Sequence, residues 1–138
     1  MSEDSFAIRM IDLDGFKAVG MINRKYADFT EKHQFPFVLT IELSLVNTDG
    51  GYPTSEESER LEEIELNLRN IVKQTQSEVH YIGRVNREDA QDIFYYIATD
   101  ELDGEAIGMY CDTIEADRGI DIQIFEDANW DSVSGLLD

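Results

Sequence analysis

Nitrogen and sulfur side chains able to ligate a metal or act as nucleophile and base are scarce in this 138-residue sequence. His33 and His80 are its two histidines, and Cys111 is its single cysteine. A zinc or iron site gathers several nitrogen or sulfur ligands, and two distant histidines with one thiol supply no such spacing. No metal and no cofactor is expected, and a lone thiol excludes an internal disulfide framework. His80 falls in a run of strand formers, where an imidazole ordinarily just satisfies hydrogen bonds.

Two Asp-Gly stretches, Asp12-Leu13-Asp14-Gly15 and Asp103-Gly104, invite a calcium reading. The EF-hand loop needs oxygen ligands at its first and twelfth positions around a glycine at the sixth. Gly15 at the sixth position would put Met10 first and Met21 twelfth; Gly104 would put Thr99 first and Tyr110 twelfth. Both fail that pattern, and hairpin-turn and helix-start chemistry explain the same residues better. No glycine-rich stretch matches a phosphate-binding fingerprint, and no G-x-S-x-G elbow is present. Carboxylates are so abundant that some pair falls at catalytic distance by chance, so pairing alone signals nothing. The sequence reads as a non-enzyme.

What stands out is charge. Thirty Asp and Glu face eleven Lys and Arg, a net of −19. Such an excess repels nucleic-acid phosphates and anionic membranes and favours a basic protein partner. From Asp100 to Asp138 the chain holds twelve acids and one base, Arg118, and so carries −11 in 39 residues. Even scattering would put about −5 there. Asp112, Glu115, Asp121, Glu126, Asp127 and Asp131 are the candidate carboxylates for steering a basic protein, with Trp130 as an aromatic anchor among them. Phe94-Tyr95-Tyr96 resembles the base-stacking aromatics of an RNA-binding sheet, but Asp92 stands where a cation would help, and core packing explains the run better.

The elements that position these residues follow from periodicity. Phe6 to Ile11 and Phe16 to Ile22 flank an Asp-Gly turn, a hairpin signal. Residues 23–35 read as a polar connection with room for a helical turn. Phe37 to Val46 alternates with period two, and Asn47 to Gly51 breaks the pattern. Thr54 and Glu57 form a capping box for a helix whose inner stripe is Leu61, Ile64, Leu68, Ile71 and Val72. Two strands follow, Val79 to Val85 and Ile93 to Ala98, joined by a polar connector, Asn86 to Asp92. A second helix is expected from Leu102 to Ala116, stopped by Gly119, and a last strand from Ile120 to Phe125. The strands starting at Phe37 and Ile93 are apolar enough for the sheet interior.

This order predicts an α+β fold: a ferredoxin-like βαββαβ antiparallel sheet with helices on one face, preceded by an N-terminal β-hairpin. The expected single domain divides into a hairpin and connection (1–35), a core (36–126) and an acidic tail (127–138). The start, Met1-Ser2-Glu3-Asp4-Ser5, has no basic and apolar signal, and the longest apolar runs are too short to span a bilayer, so a cytoplasmic address is expected.

Several stretches in order carry a resemblance. They are Phe35-Pro36-Phe37, Gly51-Tyr52-Pro53-Thr54-Ser55-Glu56-Glu57 with Leu61, Ile64 and Glu65, then Gly83-Arg84, Phe94-Tyr95-Tyr96, and Glu126-Asp127 with Trp130. Together they resemble the bacterial family known as domain of unknown function 695 over most of the chain, with Pro36, Gly83, Arg84 and Trp130 as its motif positions. The resemblance implies no established activity. A looser similarity, of fold and acidity, is to the regulator of ribonuclease E activity B, an acidic inhibitor of an RNase.

Two functions follow from these readings. One is a non-enzymatic regulator or immunity-type inhibitor that binds a basic protein. The alternative is a small-ligand or enzymatic domain with a pocket between the sheet and the N-terminal segment. Arg84 is expected to be held by a carboxylate, whose geometry its planar fork matches. In anisotropy titrations at low salt, where non-specific affinity is greatest, the protein is expected to bind neither RNA nor DNA; micromolar affinity there would overturn the reading of its charge.

Overall fold

A computed structural model describes residues 4–137. Met1, Ser2 and Glu3 of the chain start, and Asp138 of the acidic stretch, lie outside the described residues.

The N-terminal hairpin forms as the Asp-Gly signal predicts. Strands β1 (Phe6–Leu13) and β2 (Phe16–Asn23) pair over their whole length, and Asp14 and Gly15 take the positive φ angles of 51° and 89° that a two-residue turn requires. Two short 3-10 turns, Arg24–Asp28 and Lys32–Gln34, lead into β3 (Phe37–Ser44). A two-residue ribbon, β4 (Thr48–Asp49) with β5 (Tyr52–Pro53), precedes helix α1 (Ser55–Val72). There follow β6 (His80–Arg87), β7 (Ala90–Ile97), α2 (Gly104–Ile114), β8 (Ile120–Glu126) and α3 (Asp131–Leu137).

The architecture is α+β, with one six-stranded sheet in the order β1-β2-β6-β7-β3-β8 and every neighbouring pair antiparallel. The hairpin joins the sheet through β2 and β6, so the order is not that of a simple βαββαβ sheet. β3 and β7 lie inside the sheet, as their apolar content predicts; β1 and β8 are its edges. Leu39, Ile41, Leu43, Ile93, Tyr95 and Ile97 pack beneath Leu61, Ile64, Leu68 and Val72 of α1 and Ile114 of α2. The opposite face buries Ile22, Val38, Ile82 and Tyr96 under Trp130, Val133 and Leu137.

Three expectations are corrected. The polar stretch Asn86 to Asp92 is mostly strand, and the turn between β6 and β7 is only Glu88-Asp89, with Asp89 at a φ of 59°. Its polar residues are tolerated because they pair across the ladder: Gln91 Nε2 donates to Asn86 Oδ1 (2.9 Å), and Arg87 Nε donates to Asp92 Oδ2 (2.7 Å). The acidic tail is not a tail, since Val133 and Leu137 anchor α3 to the core. Third, only half of the capping box forms. Thr54 Oγ1 accepts the Glu57 amide (3.3 Å), but the Glu57 carboxylate turns inward.

There Glu57 meets Arg118. Nη1 and Nη2 of Arg118 donate to the two Glu57 oxygens at 2.7 and 3.0 Å, and the Arg118 and Glu57 side chains are 5% and 1% exposed. The Val46 amide donates to the same carboxylate (2.6 Å), and Arg118 Nη1 also reaches the Ser44 carbonyl (3.3 Å). Burial pushes the Glu57 carboxyl up, but Arg118 and the Val46 amide outweigh it and hold it below the usual carboxylate range. Its stabilising charge is present above the unfolded value and is lost as pH falls through the depressed folded one. Removing one partner strands a buried charge. Arg118→Met is expected to cost about 3–5 kcal/mol in urea unfolding at neutral pH, and adding Glu57→Leu should recover a large part of that loss. A double variant no more stable than the single would show the pair is not coupled.

Candidate functional site

The register of three strands assembles a row of carboxylates that no local pattern announces. Asp121 on β8 lies directly across from Glu42 on β3, and Glu42 directly across from Asp92 on β7. Directly paired residues share a face, with Cβ atoms about 5 Å apart, so like charges there repel. The row lies on the face away from α1 and α2, because Glu42 alternates with the core residues Ile41 and Leu43. Arg87 relieves part of it by bonding both Asp92 and Glu42, and the Asp92 bond, together with Glu42, holds its guanidinium above its ordinary range. Asp121 accepts only from Gln123 Nε2 (2.9 Å), and no cation pairs with it among the described residues.

Among the described residues β8 itself pairs only with β3, so no described strand covers its outer edge. Exposed Glu126 ends it, exposed Asp112 lies on α2 with exposed Glu115 capping that helix's C-terminus, and exposed Asp131 opens α3. Asp112 and Glu115 thus belong to the helix that packs on one face of the sheet, and Asp121 to the other face. The predicted acids are therefore divided between the two faces of the sheet rather than forming one flat patch. Glu42, Asp92 and Arg87 were not readable as part of it, because lateral pairing is set by register alone.

Two predicted site residues are structural. Trp130 is fully buried, stacked on Tyr96 with ring centroids 4.1 Å apart and a 16° interplanar angle, and its Nε1 donates to the Phe35 carbonyl (2.9 Å). It cannot anchor a partner at the surface. An indole this large is the best wedge available between a short helix and the sheet, which is why burial wins. Asp127 caps α3: its carboxylate accepts the amides of Asp131 and Ser132 (both 3.0 Å) and the Tyr96 hydroxyl (2.7 Å). Burial pushes the Asp127 carboxyl up, but these donors prevail and hold it below the usual range.

The motif positions are scaffold too. The Pro36 carbonyl accepts the Asp127 amide (2.6 Å), tying the entry of β3 to the α3 cap. Gly83 sits at a register shift in β6, where a Cβ would collide with the Met21 carbonyl and lie 3.0 Å from Ile22 Cα. Arg84 stands 3.9 Å from Glu62 Oε1, and its Nη1 donates to the Tyr81 hydroxyl (3.3 Å). A carboxylate does neighbour it, but the bidentate fork is not made.

The comparisons match the chain over residues 5–135 to a family described as Family of unknown function (DUF695). The chain belongs to the DUF695 family. No curated protein and no solved structure matches it. The match takes in β1 at one edge of the sheet and most of α3, so the hairpin and the C-terminal helix are both part of the DUF695 unit.

Phe94-Tyr95-Tyr96 in this DUF695 chain offers no stacking platform. The Tyr95 hydroxyl bonds Glu65 on the helix side and Tyr96 bonds Asp127 on the other, and burial pushes both phenols upward. Two hollows lie between the sheet and the N-terminal segment. One, about 340 Å³, has Asp4, Asn23, Lys25, Arg69 and Tyr81 in its walls; the other, about 380 Å³, is lined by Tyr26, Phe29, Glu31, Glu78 and His80. Lys25 is already bonded to Asp4 (2.7 Å) and Arg69 to Glu65 (2.7 Å). His80 Nδ1 meets the Tyr26 hydroxyl (2.9 Å), while its Nε2 has no hydrogen-bond partner among the described residues and stands 3.8 Å from Glu78 Oε1; burial lowers the proton affinity of the ring. Among the described residues no group of three His, Cys, Asp or Glu side chains could hold a metal.

The two classes of acid separate by substitution. Asp127→Ala should cost about 1–3 kcal/mol in urea unfolding, since it removes a cap and leaves a buried tyrosine hydroxyl unpaired. Asp131→Ala, at an exposed position, should cost under about 0.5 kcal/mol. Equal costs would contradict the structural role given to Asp127.

Proposed function

We propose that this DUF695 protein is a non-enzymatic interaction or regulatory domain that binds a basic protein through the open edge of β8 and the carboxylates on both sides of it. The observation that carries this reading is the row Asp121–Glu42–Asp92, three directly paired carboxylates with one balancing guanidinium, beside an unpaired strand edge. Like charges across a sheet weaken it, so a fold that keeps them in register invites an outside cation. A net charge of −19 steers such a partner from a distance, and the β8 backbone gives it a strand to dock on. A nuclease regulator or an immunity-type inhibitor, each acting on a basic enzyme, is the class that fits.

The portion β6-β7-β3-β8 reads best as a ferredoxin-like sheet. Its support is the spatial order of these strands and the placement of α1 after β3 and α2 after β7. Direct nucleic-acid binding does not belong to this reading, because the sheet face such folds offer to bases here carries Glu42, Asp92 and Asp121. Nor does an anionic membrane surface, which a net charge of −19 repels. The single thiol, Cys111, supports a cytoplasmic address.

The test begins with the full chain as bait in a lysate of its native cell, and the retained basic protein is then purified. Asp121→Lys combined with Glu126→Lys should slow its association about tenfold at low salt, and added salt should slow the unmodified pair. An unchanged association rate for the double variant, with native circular dichroism, would leave the acidic edge as solvation only.

A further inference from the structure

The opposite edge of the sheet has the reverse character. Among the described residues β1 pairs only with β2, so no other described strand covers the far side of its eight residues. Phe6, Ile8 and Met10 alternate onto one face of it and are 44%, 68% and 59% exposed. Natural edge strands are ordinarily guarded by charge, and β8 carries Asp121 and Glu126 in that role. From Phe6 to Ile11 β1 has no carboxylate, and its one charged residue, Arg9, points to the other face, where Nη2 donates to the Gly135 carbonyl (3.4 Å). An unguarded apolar edge is a template for another strand.

Charge selects the occupant. From Phe6 to Asn23 the hairpin balances Arg9 and Lys17 against Asp12 and Asp14, so it is neutral and the rest of the chain carries all of the −19. Two copies of so acidic a body repel one another from most directions, and least where their hairpins meet. The strand is also self-complementary. Antiparallel pairing about a two-fold axis at Ile8 sets Ile8 against Ile8 of the second copy and Phe6 against its Met10, all on one face. We propose that β1 is a self-association edge, where a second copy of this chain pairs antiparallel to form one continuous sheet with an acidic β8 edge at each end. This goes beyond the binding of a basic protein and stands independently of it, because it uses the other edge.

Sedimentation of the full chain from low to high micromolar concentration tests it. The mass should rise from 15.8 kDa toward twice that value, and added salt should strengthen the association by screening the two acidic bodies. That is the opposite sign to the salt response of basic-partner binding, so the two readings fail separately. Ile8→Lys with Met10→Lys should weaken self-association at least about a hundredfold, while the unfolding midpoint holds because both side chains are exposed in the single copy. Asp121→Lys with Glu126→Lys should leave it intact. A chain that stays at 15.8 kDa throughout, or a dimer indifferent to the β1 lysines, would overturn the proposal. So would loss of association in the β8 variant, which would mean pairing of β1 with β8.

Discussion

A carboxylate and a guanidinium buried together hold the α1 end of the sheet in place. Neither Glu57 nor Arg118 can be left alone in the interior, so the segments that carry them must meet. Glu57 sits in the first turn of α1 and also accepts the Val46 amide, just past the end of β3. Arg118 lies between α2 and β8 and reaches the Ser44 carbonyl, while the Ser44 amide donates to the Gly119 carbonyl. Helix, strand end and crossover are thereby fixed to one another at a single point. The register of β8 on β3 starts there, and that register is what sets Asp121 opposite Glu42.

The face away from α1 and α2 is divided along the strands. At one level Val38, Tyr96 and Ile82 are roofed by Trp130 and α3, and the Asp127 cap and Pro36 carbonyl fasten that roof to the entry of β3. Four residues further along β3, on the same face, stands Glu42, with Asp92 and Asp121 beside it. Seven residues of α3 cannot span both levels, since they extend only about 10 Å. The end left open is the end that carries the acids. An apolar surface there would have been an aggregation hazard; a charged one is tolerated and becomes available for recognition.

The hairpin depends on a different constraint. β2 comes so close to β6 that only a residue without a side chain fits at Gly83, where the β6 register on β7 also shifts. That contact attaches β1 and β2 to the rest of the sheet and moves its second edge out to β1. The molecule is consequently asymmetric across the sheet, with a charge-balanced hairpin at one edge and an acidic strand at the other.

Much of this was legible in the sequence because it depends on neighbours along the chain. Alternation located β3 and β8, Asp14-Gly15 fixed the hairpin turn, Thr54 marked the start of α1, and the apolar content of β3 and β7 placed them inside the sheet. The excess of acids after Asp100 was likewise a matter of counting. What escaped is what depends on partners distant in sequence. Trp130 reads as an exposed anchor amid acids until Tyr96 and Phe35, 34 and 95 residues away, close over it. Glu57 reads as half of a capping box until Arg118, 61 residues on, takes its carboxylate. Asp92 reads as the end of a connector until strand register puts it beside Glu42. A residue's type constrains what it can bond, but which bond it makes is decided by the side chains the fold brings within 3 Å, because a buried charge or dipole takes whatever partner lies in reach.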